Sequence, residues 1–299
     1  MKLNSAFEAR HGEAVQAASN VVRVTAANAG PFTFTGTNTY LVGHEDLAII
    51  DPGPDVPAHF DALRAAIGGR KVSGIFVTHT HRDHTDLLPR IADLTGATVY
   101  AEGPHRAFRA LHGMETNALD ASADHDFKPG HALADGDAVA GNGWTLEAVH
   151  TPGHTANHCA FALKKQSILF SGDHVMGWST SIVAPPDGSM AAYLASLEKL
   201  SARGERLYLP GHGGPVSNPK TFTKALIAHR KMRERAIVER LRGGDALIRQ
   251  IVAALYRDVD ERLHGAAALS VFAHLEHLVG QGRARADGEA LLSSRYFAV

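Results

Sequence analysis

The chain has 299 residues, 44% of them hydrophobic and 20% charged, with a formal net charge of −1. These proportions describe a globular protein of one large or two ordinary domains and exclude disordered, collagen-like and coiled-coil chains. A single cysteine, Cys159, rules out an intrachain disulfide framework or a multi-cysteine metal centre. No apolar run reaches the ~20 residues that span a bilayer, and no signal-like apolar core opens the chain, so a cytoplasmic protein is expected.

In chain order, Val21–Ala26, Thr37–Gly43 and Leu47–Asp51 read as strands punctuated by Gly and Pro. Pro57–Ile67 reads as a helix with Phe60, Leu63, Ala66 and Ile67 on one face. Val72–Val77 reads as a buried strand, Leu87–Leu94 as a helix and Ala97–Ala101 as a strand. From His131 to Gly172 the pattern is β, with His158–Leu163 paired to Ser167–Ser171. Met190–Ser201 returns to helix and Arg206–Leu209 to strand. Two batches of strands with interposed helices predict a layered α/β sandwich.

Beyond Pro219 the strand signals fade. Thr221–Leu241, Asp245–Tyr256 (with Asp245 as N-cap) and Ala266–Val279 read as helices, followed by a hairpin near Arg283–Ala286 and Arg295–Val299. Three helices and a terminal ribbon outline a winged helix. Asn218–Val299 carries 14 Lys+Arg against 9 Asp+Glu, a net of +5, whereas the rest of the chain nets −6. A boundary is therefore expected between a catalytic domain over 1–219 and a smaller domain over 220–299.

Nineteen histidines exceed ordinary usage, and their placement carries chemistry. Thr78-His79-Thr80-His81-Arg82-Asp83-His84 follows the strand Gly74–Val77. His79 and His81 share a face in extended chain, while Asp83 and His84 fall in the turn beyond. Three later segments each sit at a strand end: Thr151-Pro152-Gly153-His154-Thr155, Ser171-Gly172-Asp173 and Pro210-Gly211-His212-Gly213. Together they supply five histidines and two aspartates, a donor set suited to two metal ions.

This HxHxDH segment, followed in order by PGH, GD and GH, resembles the metallo-β-lactamase superfamily of hydrolases over about Val21–Pro219. The resemblance implies a four-layer αβ/βα sandwich with its site at one edge. It implies that His79, His81 and His154 hold one divalent cation, that Asp83, His84 and His212 hold a second, and that Asp173 bridges them. Zinc is expected, with manganese or iron as alternatives. A water shared by two such ions has its pKa lowered from about 15.7 towards 7, which would make a bridging hydroxide the nucleophile. Asp83 is the candidate that orients it, with Thr78, Thr80 or Thr155 fixing imidazole tautomers. After the motif the family often carries two glycines, whereas this chain reads Thr85-Asp86-Leu87.

The whole chain resembles the β-lactamase-like-protein-2 group, which adds a C-terminal winged helix. Gly36-Thr37-Asn38-Thr39-Tyr40-Leu41-Val42-Gly43 and the tail around Ser270–Gly282 carry that likeness. It implies a phosphodiesterase acting on single-stranded RNA. The alternative is a thioesterase, lactonase or β-lactamase-type hydrolase of a small acyl substrate, and a non-catalytic winged-helix regulator ranks last because no ligand position is lost. The third tail helix has no arginine, so sequence-specific DNA binding is not expected, and the tail is expected to pack, cover the pocket or form a homodimer. His150, His158 and His174 are expected as pocket-wall or supporting residues, and Trp178 or Tyr193 as substrate contacts. Cys159 is expected as a buried hydrophobe, and His105, His112, His229, His274 and His277 at the surface.

Overall fold

The computed structural model describes residues 3–113 and 115–299. The first sheet runs in sequence order through β1 (Val15–Ala18), β2 (Val21–Thr25), β3 (Asn38–Gly43), β4 (Asp46–Ile50), β5 (Lys71–Phe76), β6 (Thr98–Ala101) and β7 (His131–Ala132). Helices α1 (Pro57–Ile67), α2 (Arg82–Thr85) and α3 (Leu88–Thr95) intervene. The second sheet contains β8 (Ala138–Ala140), β9 (Thr145–His150), β10 (Cys159–Leu163), β11 (Ile168–Gly172) and, after α4 (Met190–Ala202), β12 (Leu207–Pro210). Its spatial order is β12-β11-β10-β9-β8. Then come α5 (Pro219–Arg242), α6 (Ile248–Leu255), α7 (His264–Gly280) and the paired ribbon β13 (Ala284–Ala286) and β14 (Tyr296–Ala298).

The side-chain alternation of the strands builds the layers. Tyr40, Val42, Ala48, Ile50 and Phe76 of the first sheet meet Ala148, Phe161, Leu163 and Phe170 of the second in a common core. Leu41, Leu47, Ile49 and Ile75 point the other way and pack on Leu63 and Ile67 of α1 and Ile91 of α3. Ala160, Ala162 and Leu169 face Leu194, Leu197 and Leu200 of α4. The result is the expected four-layer αβ/βα sandwich. Ile237, Ile251, Val271, Phe272, Leu275 and Tyr296 form a separate core for the C-terminal winged helix.

The sequence missed β1, a short edge strand with little buried surface, whereas the still shorter edge strand β8 lies inside the stretch read as β. Asp245 does not cap a helix, because α6 starts at Ile248. Gln250 Oε1 instead accepts from the backbone N–H groups of Ala246 and Leu247, and Asp245 pairs with Arg240. His274 is buried, against the expectation of a surface position, because it lies on the α7 face that carries Val271, Leu275 and Leu278. Its Nδ1 is 3.4 Å from Glu234 Oε1 on α5.

Burial pushes the His274 imidazole from 6.5 down to about 4, against the pull of Glu234. The unfolded chain therefore takes up a proton in that window that the fold refuses. Stability is expected to fall as pH drops from 6.5 towards 4, by up to about 3 kcal/mol for this group. Urea midpoints at about pH 7 and about pH 5 should differ less in His274→Gln than in the parent, and an equal difference refutes this.

Candidate metal centre

Every expected ligand sits where a chain leaves a sheet at the same edge. β4 and β5 are parallel and pair Ile50 with Phe76, so Asp51 and the segment from Thr78 emerge side by side. His81 ends extended chain at φ −75° and ψ 141°, and α2 begins at Arg82, turning Asp83 and His84 inward. β11 delivers Asp173, and β12, parallel to it, delivers His212.

All seven expected residues meet. His81 Nδ1 lies 3.0 Å from His79 Nε2 and 3.0 Å from His154 Nε2. His212 Nε2 lies 3.3 Å from Asp83 Oδ2 and 3.2 Å from Asp173 Oδ2, and His84 Nε2 lies 3.5 Å from Asp83 Oδ2. Asp173 stands between the two groups, with Oδ1 3.6 Å from His84 Nε2 and Oδ2 3.8 Å from His154 Nε2. Three clusters, His79–His81–His154, His79–His84–Asp173 and Asp83–His84–His212, converge within metal-ligand range.

These spacings fit divalent cations. Zinc bonds of about 2.0–2.1 Å in a tetrahedron place ligand atoms about 3.3 Å apart. His84 Nε2 and Asp173 Oδ1 are buried and have no hydrogen-bond partner, a cost that a cation between them removes. Six of the ligands are buried, and Asp83 is part-exposed.

Electrostatics divides the cluster into two halves. Burial and the neighbouring imidazoles hold His79 well below its usual range, and burial takes His81 down to about 3, so both are neutral lone-pair donors. Burial also opposes charge on His84, but Asp83, Asp51 and Asp173 outweigh it and lift its imidazole to about 9. His212 is raised in the same way by Asp173 and Asp83. The carboxylates of Asp83 and Asp173 are pulled down against burial, chiefly by His84 and His212 respectively.

A surrounding layer orients the ligands. Asp51 went unremarked as a site residue in the sequence, yet its Oδ1 accepts from the Thr78 N–H (2.7 Å). Its Oδ2 accepts from Thr78 Oγ (2.8 Å) and from His84 Nδ1 (2.9 Å). Thr78 Oγ in turn accepts from His79 Nδ1 (3.0 Å), which leaves Nε2 as the lone-pair nitrogen. His154 Nδ1 donates to Ile182 O, His212 Nδ1 lies 3.3 Å from Gly36 O, and Thr37 Oγ donates to Asp83 Oδ2 (3.1 Å). The signal for Asp51 was its place at a strand end before Pro52-Gly53.

The Gly36–Gly43 segment also has a physical role. Asn38 Nδ2 donates to the carbonyls of Pro210 and Gly213, and Tyr40 donates to Pro210 O, stitching the His212 turn to β3. Gly211 must lack a side chain, since a Cβ there would stand 2.6 Å from Asp173 Oδ1 and 2.7 Å from His84 Cε1.

Other candidates lie further out. His158 donates from Nδ1 to Thr151 Oγ and accepts the Asp173 N–H at Nε2, a supporting position. His150 turns to Leu133 O, and His174 is sealed against the Tyr193 ring at 4.5 Å. Tyr193 is buried and donates to His174 O, so it does not contact substrate, and Trp178 stacks on Phe34 at 4.8 Å. His105, expected at the surface, tucks its side chain under Thr80, whose Oγ is 2.9 Å from Nδ1. Cys159 is buried, and burial pushes its thiol far up, so it is no nucleophile. No helix among the described residues is long and apolar enough to cross a membrane.

A cavity of about 410 Å³ opens over the cluster and is walled by His81, Asp83, His154, Asp173 and His212. Phe32, Leu119, Ala121, Met176 and Ile182 make its remaining wall mainly apolar. Arg82 and Asp86 stand on the same wall and pair with each other at 3.3 Å, so Asp86 offsets the cation there.

Residues 32–212 match the family described as the Metallo-beta-lactamase superfamily, and residues 248–291 match the Beta-lactamase associated winged helix domain. A Beta-lactamase-like protein 2 homolog from Drosophila melanogaster is 33% identical over 287 residues, covering 91% of this chain and 92% of the relative. An atrochrysone carboxyl ACP thioesterase from Paecilomyces divaricatus is 32% identical over 256 residues, covering 84% of this chain and 73% of that protein. A beta-lactamase domain protein of known structure from Burkholderia ambifaria shares the fold, with a TM-score of 0.81 and 22% identity. That match covers 98% of this chain and 96% of the other.

Proposed function

We propose that this chain, which belongs to the metallo-beta-lactamase superfamily and carries its associated winged helix domain, hydrolyses thioesters of apolar acyl groups. It is a hydrolase of that superfamily, whose fold implies divalent metal ions. In this reading His79, His81 and His154 would hold one ion, Asp83, His84 and His212 the other, with Asp173 between them. Zinc suits this nitrogen and carboxylate set. When bound, such ions supply a water activated at neutral pH and polarise the carbonyl oxygen of the substrate.

The remaining work falls to the chain. Thr37 fixes the Asp83 carboxylate at the cavity wall, where it orients the attacking water. Asp51 and Thr78 set the tautomers of His79 and His84, and the buried ligand layer keeps bulk water from competing.

The observation that carries the substrate class is the apolar wall of Phe32, Leu119, Met176 and Ile182 directly over the cluster. It offers an acyl chain burial at about 0.8 kcal/mol per methylene. A phosphodiester backbone finds less there, since Arg82 is the single Lys or Arg on that wall among the described residues and is already paired. The thioesterase name of a relative at 32% identity supports the same choice.

The test assays metal-loaded protein in parallel on acyl thioesters of increasing chain length and on end-labelled single-stranded RNA. Each methylene added should raise kcat/KM by up to about fourfold until the cavity is full. RNA cleavage with no thioester turnover would replace this reading with the phosphodiesterase one.

A further inference from the structure

A second cavity of about 540 Å³ lies between the sandwich and the C-terminal helices. Phe32 and Ile182 belong to its walls and to those of the acyl cavity, so the two meet there. A substrate held at the cluster and reaching past Phe32 and Ile182 enters the second cavity.

The second cavity differs in charge. From α5, His229, Arg230 and Arg233 reach its wall, and Asp258 is the one carboxylate there among the described residues. Arg230 is buried and committed, donating to Ser181 O and Ser270 Oγ. Arg233 lies over the Tyr256 ring at 4.3 Å and donates through Nη1 to Leu255 O. Its other N–H groups have no protein partner among the described residues. The Nδ1 of His229 is buried without a partner, and burial, reinforced by Arg230 and Arg233, lowers its imidazole to about 4. Arg233, with unspent donors next to the buried guanidinium of Arg230 in a partly enclosed groove, makes a site for an anion. Leu255, Val259 and Leu263 give the groove an apolar side as well.

We propose that this inter-domain groove binds the phosphate-bearing pantetheine arm of the thioester substrate, with Arg233 as the principal phosphate contact. The proposal rests on the thioester reading above. It gives the winged helix a substrate-binding role in place of nucleic-acid recognition: the arm's amides and methyl groups lie along the apolar side and its phosphate meets α5.

The test has two readouts on full-length, metal-loaded protein. Calorimetric titration with coenzyme A should show binding that Arg233→Gln weakens about 10-fold or more and Arg233→Lys largely retains. In kinetics, the KM for an acyl-CoA divided by that for the matching acyl-N-acetylcysteamine, which lacks the phosphate, should rise about 10-fold in Arg233→Gln. A matching rise with an acyl-carrier-protein thioester assigns the arm to a carrier, and a rise confined to acyl-CoA assigns it to the free coenzyme. Either supports the groove. An unchanged ratio, or wild-type protein that does not bind coenzyme A, overturns the proposal, as does RNA binding lost in Arg233→Gln where coenzyme A binding is absent. If coenzyme A binds through Arg233 but no thioester is hydrolysed, the functional reading fails while the anion site stands.

Discussion

Asp173→Asn is expected to lower hydrolysis by about 10²–10⁴-fold and to reduce bound metal from two ions to one or none. Asp173 is the residue whose two oxygens reach both halves of the cluster, Oδ1 at 3.6 Å from His84 Nε2 and Oδ2 at 3.8 Å from His154 Nε2. An amide keeps the shape but offers one oxygen and no charge. Removing one partner of a buried charge group costs about 3–5 kcal/mol, which is the stated range in rate. Metal content by atomic emission and turnover on the same preparation check this. A variant with two ions and full activity would remove Asp173 from the centre.

The second large effect is expected at a residue that touches no ligand atom directed at the centre. Asp51→Asn should weaken metal affinity about 10–100-fold, measured by competition with a chelator. Asp51 sits at φ 50°, a left-handed conformation that Asn also tolerates, so the backbone is spared and the carboxylate alone is tested. One of its oxygens accepts two donors, from Thr78 and His84. Whichever way the amide is turned, an NH₂ group faces a donor. His84 also loses one of the carboxylates that raise its pKa, so its imidazole should titrate lower in the metal-free variant. Unchanged chelator competition would show that packing alone orients His84.

Asp51 also marks where sequence reading stopped. His79, His81, Asp83 and His84 were legible because a strand followed by a tight turn is local, and spacing alone puts these side chains together. His154, Asp173 and His212 were legible as strand-end residues, and order along the chain joined them to the first group. Asp51 depends on the pairing of β4 with β5, a non-local register that no spacing announces. The same holds for Asn38 and Tyr40, which reach a turn formed far later in the chain. His274 was misplaced for a different reason. On a helix its neighbours Val271, Leu275 and Leu278 define a buried face, but α7 is apolar nearly all round, so periodicity could not separate its core side from its exposed one. The layered fold was readable from strand batches, whereas an edge strand as short as β1 leaves little pattern.

The tie between β3 and the Pro210–Gly213 turn fixes an order of events during biosynthesis. β3 leaves the ribosome early, but the carbonyls that Asn38 and Tyr40 hold belong to a turn made after every other strand of the sandwich. Until then His212 is absent and the Asp83–His84 half of the centre stays open. A nascent chain can therefore gather the three histidines of one half but cannot close the other, and a metal ion in that second half cannot serve as an early template for folding. It acts as a late lock, adding its binding free energy to a sandwich already assembled.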